Sequence, residues 1–191
     1  GLTNFGSGAT GLYLQAFGFE SVSARAVNGG TDRAFLFDTA GDDIFTATHE
    51  VASLVGPGYV SEAVRFENVI ARATGGVDRA RFFDSPGDDV FTADRNSASL
   101  KGTGVFNQTT GFDIITVNAS TGNDVAHVTD SSGNDNFLGR GHDATLTSSG
   151  FSLALTRFDT INLFGTQGGI NRLDVKDLIY TLKTIGSWTV V

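Results

Sequence analysis

The chain has no cysteine, no methionine and only two prolines. Without cysteine there is no disulfide, no thiolate zinc site and no thiol chemistry. Without methionine the stretch cannot start at a translational start, so it is expected to be a processed product or a segment of a longer protein. No apolar run approaches the roughly 18 residues of a membrane span. Basic residues are scarce: 13 Lys and Arg stand against 21 Asp and Glu, for a formal charge of −8. That balance argues against nucleic acid or an anionic membrane as a partner, because both require a basic surface.

What the chain has in excess is glycine, 25 residues of it, and a tandem repeat. Two stretches, GGTDRAFLFDTAGDDIFTA from Gly29 and GGVDRARFFDSPGDDVFTA from Gly75, are nearly the same sequence. A weaker copy begins at Thr121 and a decayed one at Gly168. Asp38, Asp84 and Asp130 fall in register, as do Gly41, Gly87 and Gly133. A period of about 46 residues signals a solenoid, propeller or array, whose units bury their apolar faces against their neighbours.

Inside each copy lies a fainter half-period, acid-x-apolar-x-small, at Glu20, Asp43, Glu67, Asp89, Asp113, Asp135 and Asp159. Alternation with period two is the strand signal. A rung of about 23 residues suits a right-handed parallel β-helix, all-β, of about eight rungs stacked roughly 4.8 Å apart. A small β-propeller is the alternative. In the helix reading residues 1–177 form one solenoid of four paired-rung repeats. Residues 178–191 form a C-terminal cap, helical or strand-like, because Leu178, Ile179, Leu182 and Ile185 fall at helical spacing. The column Val22, Phe45, Val69, Phe91, Ile115, Phe137, Ile161 would be the core ladder, with Phe alternating with smaller residues so that the rings interdigitate.

The acids that open each half-repeat would then form a vertical file with neighbours about 5 Å apart, repelling by about 3 kcal/mol per pair at an effective dielectric of 20. Three compensators are available: backbone N–H groups of the Gly turns, Arg side chains such as Arg25, Arg72, Arg33 and Arg79, or bound Ca²⁺. The Gly-Gly-x-Asp and Gly-Asp-Asp turns resemble the calcium-binding β-roll repeats of secreted RTX proteins. They differ in lacking the second Gly of G-x-G and in recurring at 12 or 22–24 residues rather than nine. If calcium binds, the resemblance and the turn chemistry make Asp38, Asp42, Asp84, Asp88, Asp130 and Asp135 the candidate ligands.

The fold so read also resembles that of pectate lyases, alginate epimerases and phage tailspike glycosidases, but there is no irregular cluster of Asp, Arg, Lys or His to interrupt the repeat. His49-Glu50 and His142-Asp143 match across two copies, yet Arg95-Asn96 stands between them. The expectation is therefore a non-catalytic structural or adhesive module, extracellular or on a bacterial cell surface, that meets neighbouring repeats or copies of itself. The alternative is a domain that binds or cleaves extracellular glycans along one face.

Overall fold

The computed structural model describes residues 2–7, 13–27 and 29–191; Gly1, residues 8–12 and Asn28 lie outside the described residues. Among the described residues there are strands and no helix. The leading strands are β1 (Leu2–Ser7), β2 (Tyr13–Phe17) and β3 (Ser21–Arg25). The first 46-residue copy supplies β4 (Asp32–Phe37), β5 (Ile44–Ala47), β6 (Val51–Gly56), β7 (Tyr59–Val64) and β8 (Asn68–Arg72). The second supplies β9 (Arg79–Phe83), β10 (Val90–Ala93), β11 (Ser97–Gly102), β12 (Val105–Thr110) and β13 (Ile114–Asn118). The third supplies β14 (Val125–Thr129), β15 (Asn136–Gly141), β16 (Asp143–Ser148), β17 (Phe151–Thr156) and β18 (Thr160–Gly165). The last strands are β19 (Arg172–Leu178), β20 (Thr181–Gly186) and β21 (Thr189–Val190).

These strands form a two-sheet β-solenoid of about four turns. One sheet runs β2-β1-β4-β8-β12-β11-β10-β14-β18-β20 and the other β21-β19-β15-β16-β17-β13-β9-β5-β6-β7-β3. In each copy the three middle strands make an antiparallel meander in one sheet, and the first and last strands lie in the opposite sheet. An odd number of crossings per copy sends each successive meander to the other sheet. Neighbouring copies are thus related as by a half-turn screw.

This arrangement corrects the eight parallel rungs expected from the half-period. Parallel neighbours are 35 residues apart at Arg33↔Asn68, Ile44↔Arg79, Val90↔Val125 and Val125↔Thr160, and 38 apart at Asn68↔Phe106 and Ile114↔Ser152. The acid-x-apolar-x-small pattern marks strands that enter a sheet from a crossing, and it skips the return strands of the meanders. Those returns are made by two-residue turns, Pro57-Gly58, Thr103-Gly104 and Ser149-Gly150, with each Gly in the left-handed region at φ 80°, 72° and 65°. Of the two forms expected for the segment Leu178–Ile185, helical or strand-like, the helical one is absent. Leu178 ends β19, and Thr181–Gly186 is the edge strand β20, in which Leu182 pairs beside Ile161 rather than following a helical stripe.

The core lies between the sheets. Phe45, Ile115 and Phe137 line one sheet, while Val69, Phe91 and Ile161 line the other. The core column therefore exists but is divided between two walls. Three of the large rings sit beside a small residue on the parallel neighbour: Phe45 beside Ala80, Phe82 beside Ala47, Phe91 beside Ala126. Within one sheet Phe45 meets Phe82 on the neighbouring strand, and across the interior Phe82 meets Phe91, both edge-to-face at 5.9 and 5.8 Å between centroids, the arrangement the ring quadrupole favours. Phe66, Phe112 and Phe158 close the crossings and are buried, whereas Phe19, beside the edge strand β3, is 60% exposed. Trp188 packs against Phe137 at 6.5 Å where the last strands close over the core.

Where two crossings touch, one glycine lies against the carbonyl of another. A Cβ on Gly122 (φ 135°) would overlap the Gly87 carbonyl, and the same contact recurs between Gly76 and Gly41 and between Gly169 and Gly133. Gly122→Ala is expected to cost about 2–4 kcal/mol from left-handed strain plus overlap. Gly87→Ala, which adds a methyl into open space, should stay within about 0.5 kcal/mol. Urea denaturation of the two variants measures the contrast, and equal midpoints would contradict the close approach.

Candidate functional site

The sheet-to-sheet crossings hold nearly all of the buried acids. At a crossing the peptide N–H groups leave the strand ladder and need other acceptors. In TAGDD, SPGDD and SSGND the last Asp folds back onto the start of its own turn. Asp43 accepts the Thr39 N–H (3.3 Å), Asp89 accepts the Ser85 hydroxyl (2.9 Å), and Asp135 accepts both the N–H and hydroxyl of Ser131 (3.1 and 2.8 Å). These are Asx-type turn closures, the role short polar side chains fill best.

A second set of bonds joins one turn to the next. Asp43 N–H donates to Asp78 Oδ1 at 2.9 Å, and Asp78 N–H donates in turn to Asp113 Oδ2 at 3.1 Å. On the opposite side Asp89 N–H donates to Asp124 Oδ1 at 3.0 Å, and Asp124 N–H to Asp159 Oδ2 at 2.8 Å. Outer acids repeat the device: Asp38 accepts the Thr74 N–H, Asp84 the Ser120 N–H and Asp130 the N–H groups of Thr166 and Gln167. Asp42 and Asp88 accept the Val77 and Asn123 N–H groups. The single file of seven acids is therefore two separate ladders along opposite edges, stepped by about 35 residues. Backbone N–H groups are the compensators. Arginine is not: among the described residues the ion pairs are Arg140–Asp174 at 2.7 Å and the exposed His49–Glu50 at 3.9 Å.

The ladders gather acids into clusters. Carboxylate oxygens of Asp38, Asp43 and Asp78 lie within 4.8 Å of one another, as do those of Asp84, Asp89 and Asp124. Of the six candidate ligands, Asp38 and Asp84 fall in these groups, while Asp42 and Asp88 are exposed and turned to the neighbouring N–H groups. Asp130 and Asp135 meet at the equivalent place in the third copy, but their third member is Asn171. Its Nδ2 donates to Asp130 Oδ2 at 2.8 Å, and its Oδ1 accepts the Asp135 N–H at 3.3 Å. Asp78, Asp124 and Asn171 occupy one column of the 46-residue register, so their equivalence is legible in the sequence. Their contact with Asp43, Asp89 and Asp135 is not, because it needs the 35-residue step between turns.

Three carboxylates this close, two of them buried, cannot all be charged cheaply. A pair at 4.8 Å repels by about 3.5 kcal/mol at an effective dielectric of about 20. Burial above all, with the neighbouring carboxylates adding to it, pushes Asp78 and Asp124 up to about 6 from the ordinary 3.8, against the lowering effect of their backbone hydrogen bonds. Burial likewise raises Asp89 and Asp135. Tyr59 donates to Asp43 Oδ1 at 2.7 Å, and burial together with this bond raises its phenol well above the usual range. Chemically the clusters can hold protons or a hard cation. They contain no nucleophile–base pair and no histidine.

A group whose folded pKa is raised binds more protons folded than unfolded in the window from 3.8 to about 6. Its charge costs stability above that window, and the cost is relieved as pH falls through it. In chelator, the melting temperature is expected to rise as pH is lowered from about 7 to about 5, and Asp124→Asn should flatten that slope. A melting temperature that falls over the same range would contradict the assignment. Comparison of the chain with protein-family models, with curated proteins and with solved structures finds no match, and its role rests on this geometry.

Proposed function

We propose that the chain is a non-catalytic structural module of the cell exterior, a short stiff rod that joins neighbouring repeats or further copies of itself through its two ends. The observation that carries this reading is the contrast between ends and sides. At one end β2 and β3 are the sheet edges, with Leu14, Phe17 and Phe19 exposed. At the other, β20 and β21 are the edges, with Ile179, Ile185 and Val190 exposed. Open edges with apolar side chains are templates for strand addition, and the solubility devices that usually blunt them are thin here: β2, YLQAF, carries no charge at all. Along the sides, by contrast, the turn acids are engaged by backbone N–H groups. Ten and eleven strands per sheet give a body of roughly 45 Å at the usual strand spacing.

The same contrast weighs against a glycan-cleaving role. A shallow depression lined by Gly76, Val77, Asp113, Ile114, Gly150, Phe151 and Ser152 offers Asp113 as its one titratable group, and Asp113 Oδ2 already accepts the Asp78 N–H. A single engaged carboxylate lacks the acid and base that glycoside chemistry needs.

Sedimentation velocity over a concentration series tests the proposal. The wild-type chain is expected to associate reversibly as concentration rises, and Phe17→Lys or Ile185→Lys to shift it toward monomer without lowering the melting temperature. A chain that stays monomeric at every concentration, or that releases unsaturated sugars from an acidic polysaccharide, would overturn it.

A further inference from the structure

The three copies of the crossing treat the same buried carboxylate position differently, and the middle copy leaves it incomplete. In the third copy Asn171 Nδ2 donates to Asp130 and also to the carbonyls of Gly168 and Ser187, so the inner group there supplies its own positive end. In the first copy the Tyr59 hydroxyl donates into the cluster at Asp43. The residue in register with Tyr59 in the second copy is Val105, which has nothing to donate. Asp124, 1% exposed, uses Oδ1 to accept the Asp89 N–H. Its other oxygen, Oδ2, is buried with no hydrogen-bond partner, a costly state for a carboxylate oxygen. Asp124 belongs to the group in which Asp84, Asp89 and Asp124 bring carboxylate oxygens within 4.8 Å of one another.

We propose that Asp84, Asp89 and Asp124 form a binding site for a hard divalent cation, Ca²⁺ in particular, bridging two consecutive turns of the solenoid. The donor set is oxygen only, as a hard cation requires, and oxygens about 2.3–2.6 Å from one ion span the separations found here. Asp84 and Asp89 belong to one crossing and Asp124 to the next, so the ion clamps the 35-residue step already bonded by Asp89 N–H to Asp124. Asp84 still holds the Ser120 N–H at 2.7 Å and Asp89 the Ser85 hydroxyl. These bonds fix both carboxylates in place before an ion arrives. The cation takes the place that the Asn171 amide fills in the third copy. The site is independent of what the ends of the rod meet.

The test uses the full chain freed of metal by chelation, with CaCl₂ as the probe, followed by titration calorimetry and by thermal melting at neutral pH. Calcium is expected to bind and to raise the melting temperature, and EDTA to reverse the rise. Asp124→Asn should weaken calcium binding by about tenfold or more, as loss of a charged ligand does. In EDTA it should melt at or above the wild type, because an Asn is already accommodated at position 171. Should Asp124→Asn fail to fold, Asp84→Asn, whose amide oxygen can still accept the Ser120 N–H, serves as the second variant with the same expected loss. No calcium heat and no melting shift in the wild type, or full calcium affinity in a folded Asp124→Asn or Asp84→Asn variant, would overturn the proposal. So would a protonated-carboxyl infrared band that persists at neutral pH in saturating calcium.

Discussion

The peptide N–H groups at the sheet-to-sheet crossings are the constraint on which the rest of this molecule depends. A two-sheet solenoid must leave the ladder at every crossing, and each departure strands donors that water reaches poorly. Here the carboxylate of the adjacent turn accepts them, from Asp43 onto Asp78 and from Asp89 onto Asp124. A carboxylate is the strongest acceptor a side chain offers, and charge-assisted bonds of this kind are about twice as strong as neutral ones. The surplus of acid follows from that need. So does the close packing of Gly122 on Gly87 and Gly76 on Gly41, because one turn's acid can reach the next turn's N–H only where the backbones nearly touch.

Much of this was legible in the sequence, and the missing part has a definite cause. The 46-residue register, the all-strand character, the buried Phe and Val column and the turn-forming role of the acids all follow from residue type and spacing. The stacking step does not. Return strands β6, β11 and β16 carry the period-two pattern in the reverse order, small then large (Ala52-x-Leu54, Ala98-x-Leu100, Ala144-x-Leu146), so the half-period counts only some of the strands and implies a rung near 23 residues. Their two-residue Gly turns were visible at Gly58, Gly104 and Gly150, and a hairpin reading of those glycines would have exposed the antiparallel returns. The helical spacing of Leu178, Ile179, Leu182 and Ile185 is a short-run coincidence. Pairing of β20 with β18 over six residue pairs outweighs it, since a strand at an open sheet edge gains a full ladder of backbone bonds.

The half-turn screw also changes what the repeat means for the acids. With consecutive copies on opposite walls, Asp43 and Asp89 never stack, and the charge is divided between two edges rather than concentrated along one. Within an edge the acids come from alternating positions of the repeat, Asp43 then Asp78 then Asp113. The two classes of acid in the sequence, those of Gly-Asp-Asp and those of Gly-x-x-Asp, are therefore complementary partners in one ladder. Losing Asp78 and Asp124 would leave the Asp43 and Asp89 N–H groups unaccepted, and losing Asp113 and Asp159 would do the same to the N–H groups of Asp78 and Asp124.

This division of labour sets a limit on metal binding that counting Asp residues does not reveal. Here one oxygen of most turn acids already holds a backbone N–H, and only second oxygens remain for anything else. Whether such an oxygen calls for a cation then depends on the nearest donor: Tyr59 supplies one in the first copy and the Asn171 amide in the third. Between them Asp124 has none. Under the proposed cation site, the places open to a cation are set by where neutral donors are missing, and near-identical repeats differ in this by a single side chain.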